Sequence, residues 1–238
     1  MDTMPRVLTY QTLERLRVAR PVDRIGYIAD LCRDKVVLDI GCLDETALEK
    51  QDTQYWLHGR VASVAREVIG IDSSAKIPPE GLRSAANAMI VRGNGADPDL
   101  PDAQSARIEQ IVAGEFIEHI ETPIAFFRNI KRRFAGKQLV LTTPNGTAFA
   151  NTLVGLFGCE AQHVDHTQIF TYKILNTLCL RAGFEDWEII PYRFAASEML
   201  LRNTGVRRLL VGLVQGFIRS VEYLFPLLSF GYVVRVRI

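Results

Sequence analysis

Short, uninterrupted apolar runs set the rhythm of this chain. From Lys35 the sequence reads KVVLDIGC, β-branched residues ending on a glycine, and EVIGID follows at residues 67–72. Further runs occupy residues 88–91, 108–113, 138–143, 187–190 and 231–238. Continuous rather than alternating hydrophobicity marks strands buried on both faces. Seven strands are therefore predicted. Helical periodicity at residues 55–65, 122–134 and 171–182, the last with Gly183 as its C-cap, falls between them. The alternation predicts a doubly wound, mostly parallel, Rossmann-like α/β sheet with right-handed crossovers.

Two stretches stand outside that rhythm. Residues 12–19 and 22–32 read as helices parted by Pro21, which disfavours helix in the residue before it, and they are expected to cover the ligand edge of the sheet. Residues 197–225 read as one or two long helices inserted before the last strand. The expected organisation is a single domain: an N-terminal helical cover (1–34), a core (35–192), a C-terminal helical insertion (193–230) and a closing strand (231–238).

With 28 Lys and Arg against 27 Asp and Glu, the net charge of +1 gives no whole-chain attraction to nucleic acid, so no nucleic-acid partner is expected. Four scattered cysteines without a C-x-x-C pair, and an N-terminus MDTMPRVLTYQ without the apolar region of a signal peptide, lead us to expect a cytoplasmic protein with reduced thiols. No apolar run reaches the ~18 residues of a membrane span. Membrane contact, if any, is expected at the periphery.

In such a sheet, ligands sit outside the carboxyl ends of the strands. Asp39 and Gly41 end the first strand, with Cys42 next, and a glycine there lets the backbone approach a nucleotide-like ligand closely. An ordinary glycine turn reads the same way. Asp72 ends the second strand, where a carboxylate can accept from both hydroxyls of a ribose; it is equally suited to cap the turn that begins with Ser73. G-x-G-x-x-G is absent and Asp72 lies 31 residues after Gly41, which disfavours NAD or FAD and an oxidoreductase.

The segment IVAGEFIEHIETP from Ile111, followed by a helical pattern and LVLTTPN, gives the most specific signal. Together with VVLDIGC, VIGID and HVDHTQIFTYKILNTLCLRAGFE, it resembles the class I S-adenosylmethionine-dependent methyltransferases, in particular a subgroup with E-x-x-E-H after the fourth strand. The resemblance covers residues 22–192 and implies an antiparallel last strand. It also implies that Asp39, Gly41 and Cys42 face the methionine part of the cofactor, Asp72 and Ser73 the ribose, and Asn94 and Gly95 the adenine. Ala113, Gly114 and Glu115 would line the cofactor below the sulfonium. Leu43 and Asp44 stand where the family's first turn commonly has further glycines.

The implied activity is methyl transfer to a small or lipid- or glycan-linked acceptor, with oxygen as the expected acceptor atom. A non-catalytic scaffold of the same fold is the alternative. His119 and Glu118 are the expected catalytic residues, His119 as general base, although a histidine beside a strand end is often structural. Glu115, Glu118, His119 and His166, with His163 as substitute, form the expected site for Mg²⁺ or another divalent metal. Residues 199–221 hold four arginines and no acid, with Leu210, Leu213, Val214, Phe217, Val221 and Leu224 on one stripe and Arg208, Gln215, Arg219 and Glu222 opposite. That stripe is expected to pack on the sheet or on the second copy of a homodimer. Peripheral membrane contact through 199–228 is the other reading.

Overall fold

The computed structural model describes residues 13–43, 46–51 and 53–238, and the side chain of Leu48 is outside that description. All seven expected strands form: β1 (Val36–Ile40), β2 (Glu67–Asp72), β4 (Ala88–Arg92), β5 (Gln110–Gly114), β6 (Gln138–Pro144), β7 (Asp186–Tyr192) and β8 (Gly231–Arg237). An eighth, β3 (Leu82–Ala85), adds an edge strand antiparallel to β4 and gives the order β3-β4-β2-β1-β5-β6-β8-β7. Its four residues, LRSA, are partly solvent-facing, so they carry no continuous apolar run to read. Strand β8 runs antiparallel between β6 and β7. Every residue of β1 is buried, as a central strand requires.

Helices cover both faces. On one, α5 (Pro123–Arg133) and α7 (Tyr172–Ala182) bury Phe126, Phe127, Ile130, Leu175 and Cys179 against the sheet. On the other, α1 (Arg24–Cys32) and α3 (Leu57–Ala62) bury Ile28, Cys32 and Val61. Helix α7 ends on Gly183 at φ +78°, the left-handed C-cap expected of that glycine. Short helices α2 (Ala47–Lys50), α4 (Asp102–Arg107) and α6 (Phe149–Gly155) fill connections. The insertion is two helices, α8 (Ser197–Arg202) and α9 (Gly205–Leu224).

The first expected helix is not there. Thr12 lies outside the described residues, and residues 13–19 run without helix. Contacts elsewhere hold the segment: Glu14 pairs with Lys173 at 2.8 Å, and just after it the Arg20 guanidinium stacks 4.3 Å from the centre of the Tyr223 ring. The second expected helix starts at Arg24, capped by the Asp23 carboxylate, which accepts from Gly26 N–H; Val22 instead bridges to Tyr192 beside the sheet. Among the described residues no helix is long and apolar enough to cross a membrane.

Candidate active site

The carboxyl ends of β1, β2, β4 and β5 bring the predicted residues to one edge. Gly41 leaves β1 at φ +67°, and its N–H donates to Ile71 O at 2.8 Å. A Cβ there would stand 2.7 Å from the Phe116 ring, and one on Gly95 would stand 2.9 Å from it. Both positions must be glycine for that ring to lie between the two loops. Asp72 accepts from Leu43 N–H at 2.9 Å through one oxygen and from Ser74 N–H at 2.8 Å through the other. It joins the loop after β1 to the turn after β2. The capping reading of Asp72 is thus met, and the half-buried residue keeps further lone pairs on its carboxylate. Ser73 is exposed beside it, and the exposed Asn94 turns its Oδ1 onto Ala96 N–H at 3.0 Å.

Asp39 is 1% exposed, and its carboxylate meets His58 Nδ1 at 2.8 Å, while His58 Nε2 lies 2.7 Å from Ser84 Oγ. Cys42 packs against them, and burial pushes its thiol well above the ordinary value. Asp39 and Cys42 therefore shape the site from inside the first loop, with His58 as an anchor the sequence reading missed. The available signal was a histidine set among Trp56, Leu57 and Val61 on a helix that must bury that face.

Strand β5 ends in Ala113, fully buried, and Gly114, whose missing side chain leaves room for Leu57. Glu115 follows at φ +52°, a left-handed conformation that a non-glycine residue holds only when its surroundings fix it. Here Glu115 N–H donates to Thr142 O at 2.9 Å. Its carboxylate accepts from the Tyr192 hydroxyl at 2.8 Å and pairs with Arg24 at 3.1 Å. Burial raises the Tyr192 hydroxyl far above its ordinary value and keeps it a donor.

Three residues on, the surroundings change. Glu118 is 1% exposed, and neither carboxylate oxygen has a hydrogen-bond partner. Burial first, and the Glu115 charge second, push its carboxyl up to about 8. His119 lies outside, beside His163 and His166, with ligand atoms of all three within 4.8 Å of one another. Ring centres are 4.7 Å apart for His119 and His166 and 5.8 Å for His119 and His163. Burial, then the neighbouring imidazoles, lower the pKa of His119 and His166 and favour neutral rings with lone pairs to offer. The expected metal set is thus brought together only in part. Glu115 is turned away to Arg24 and Tyr192, Glu118 lines a small recess with His166, and His163 takes a place in the histidine group.

Above Glu115 opens a cavity of about 1040 Å³, walled by α1, α6, α8 and α9. Arg24, Lys50, Arg60, Arg193 and Arg219 face it, against Asp23, Glu115 and Glu198, so cations outnumber carboxylates five to three. Leu153, Val154, Leu200, Ile218 and Phe230 supply an apolar side. Asn145, from the TTPN block, serves this architecture rather than a ligand: fully buried, it donates to Leu227 O and Ser229 O at 2.9 and 2.8 Å.

A family model described as a methyltransferase domain matches residues 10–189. No curated protein matches the chain. Among solved structures, a SAM-dependent methyltransferase from Archaeoglobus fulgidus superposes with a TM-score of 0.50 at 16% identity, covering 90% of each chain. One from Thermotoga maritima gives 0.56 at 14%, covering 90% of this chain and 87% of its own. The small RNA methyltransferase HEN1 gives 0.56 at 18%, covering 95% of this chain but only 27% of its own length. At these identities the structures speak for the fold, and the family match spans three quarters of the sequence. At the same sheet edge stand the Asp72 carboxylate, the Asn94 amide and the glycines at 41 and 95, where the loops pack closely. The chain belongs to the class I S-adenosylmethionine-dependent methyltransferase family and is an enzyme of that family.

Proposed function

We propose that the enzyme O-methylates a small or lipid- or glycan-linked acceptor whose acidic or strongly polar group enters the cavity above Glu115. The observation that carries this reading is the cavity's lining, which holds five cations against three carboxylates, leaving Arg60 and Arg219 beyond the pairs Arg24–Glu115, Lys50–Glu198 and Arg193–Asp23, together with Leu153, Val154, Leu200, Ile218 and Phe230. An amphiphile bearing negative charge matches both. Bound S-adenosylmethionine supplies an activated methyl group, so the protein's task is in-line positioning and removal of one acceptor proton. Asp72 and Ser73 hold the ribose side, Asn94 and Gly95 the adenine side, and the first loop, shaped by Asp39, Gly41 and Cys42, receives the methionine part. Glu115, fixed by Arg24 and Tyr192, lines the boundary between cofactor and acceptor.

Proton removal falls to the neighbourhood of His119. His119, His163 and His166 suit a divalent metal, with Glu118 as the buried carboxylate beside them; an orphaned carboxylate and neutral imidazoles are the donor chemistry such an ion takes. A metal there would orient the acceptor and lower the pKa of its hydroxyl. Without one, His119 is the general base.

The test is transfer of labelled methyl from S-adenosylmethionine to lipid and aqueous cell extracts, before and after chelation and metal add-back, in the parent and His119→Ala. Labelling of acidic amphiphiles, lost on chelation and restored by metal, is the expected result. Labelling confined to neutral, water-soluble compounds would overturn the acceptor assignment. Chelator-resistant turnover would remove the metal and leave His119 as base.

A further inference from the structure

Helix α9 is inside out. Three of its polar residues face the protein: Gln215 Oε1 accepts from Ala196 N–H at 2.8 Å, Arg219 Nε donates to Phe194 O at 2.8 Å, and the fully buried Glu222 carboxylate accepts from Phe194 N–H at 2.9 Å. At 3.6 residues per turn, these side chains and Ile218 share one side of the helix. Val206, Leu209, Leu210, Leu213, Phe217 and Leu224 fall on the other, and each is more than half exposed, from 55 to 72%. Residues 204–210 are exposed around the whole circumference, so the first turns stand clear of the body. The expected packing of this stripe on the sheet does not occur.

Hydrophobic residues scattered singly on a surface need no explanation, but six on one stripe of one helix do. Charge selects what covers them. Residues 199–221 contain four arginines and no acid; Arg202 pairs with Glu49 and Arg219 turns inward, while among the described residues the exposed Arg207 and Arg208 make no ion pair. A second copy laid face to face across a two-fold axis would bring Arg207, at the edge of the stripe, towards its own counterpart, with no carboxylate in the segment to answer it. An anionic bilayer answers both features at once, taking the apolar stripe into the acyl boundary while Arg207 at its edge reaches the phosphates and Arg208 adds to the positive field of the exposed first turns.

We propose that α9 docks this enzyme onto an anionic membrane surface, lying in the plane of the interface. Val214, Gln215, Ile218 and Arg219 of the same helix wall the cavity described above, so docking would set that cavity beside the lipid layer. The proposal concerns the outer face of α9 and stands whether or not the acceptor is a lipid.

The experiment is flotation of the intact protein with phosphatidylcholine vesicles, with and without phosphatidylglycerol, for the parent, Leu209→Glu with Leu213→Glu, and Arg207→Glu with Arg208→Glu. Both pairs are exposed, and unchanged melting temperatures would verify that the variants fold. The parent should float with phosphatidylglycerol vesicles, and the leucine pair should lose affinity by about tenfold or more. The arginine pair should lose the preference for anionic lipid. No flotation of the parent, or flotation indifferent to either pair, overturns the proposal. So does light scattering that finds a dimer which the leucine pair dissolves.

Discussion

Glu115 and Glu118 differ in role because of what surrounds them. Glu115 has a cation and a hydroxyl on its carboxylate, whereas Glu118 has no hydrogen-bond partner and is pushed up to about 8, chiefly by burial. The folded state then keeps a proton that the unfolded chain releases above the ordinary carboxylate range. Stability from this group is full in acid and declines as pH rises from that range towards about 8. Chelator-treated protein should therefore melt at lower temperature at about pH 8 than at about pH 5, and Glu118→Gln should flatten that slope, gaining on the order of a few kcal/mol at the alkaline end. A parent slope that the substitution leaves untouched would contradict this account of Glu118. His58, in contrast, partners a buried carboxylate. His58→Ala should cost on the order of 3 kcal/mol by orphaning Asp39, seen as a shift of the urea midpoint, and His58→Gln should recover part of it.

Among the elements, the central strands were legible because a parallel strand buried on both faces has one pattern, the unbroken apolar run, and β1, β2 and β5 have it. The failures have the opposite cause. Residues 13–19 show helical spacing but bury little, and tertiary contacts through Glu14 and Arg20 hold them otherwise. Strand β3 exists because β4 offers an edge, not because its own four residues demand it. Helix α9 was legible as amphipathic, but its orientation was not: periodicity says which residues share a face and nothing about which face meets the protein. The hydrogen bonds of Glu222 and Gln215 to Phe194 and Ala196 decide it. If those bonds hold α9 down, Glu222→Ala should speed amide hydrogen exchange at Phe194 by about tenfold or more, corresponding to the ~1–3 kcal/mol of an orphaned buried group. Exchange there equal to the parent's would show that packing alone fixes the helix.

On the scale of the whole molecule, the sheet order gathers the ends of β1, β2, β4 and β5 into the edge proposed for the cofactor, and the helical insertion walls a charged and apolar cavity beside it. The strand-end residues of this edge were readable because topology carries them there whatever their neighbours do. Partners were not: His58, Arg24 and Tyr192 come from separate parts of the chain, and only the fold brings them to Asp39 and Glu115. Cofactor binding should also protect the entire domain, by ~2.7 kcal/mol at a hundredfold excess over the dissociation constant.

The account depends most on the cofactor meeting Asp72, which pins Leu43 and Ser74 with two oxygens at the second strand end. Calorimetric titration with S-adenosylhomocysteine tests this directly, comparing the parent with Asp72→Ala. Loss of charge-assisted hydrogen bonds worth ~1.5–3 kcal/mol each should weaken binding by at least about tenfold. Equal affinity in a folded Asp72→Ala protein would contradict the assignment of this edge.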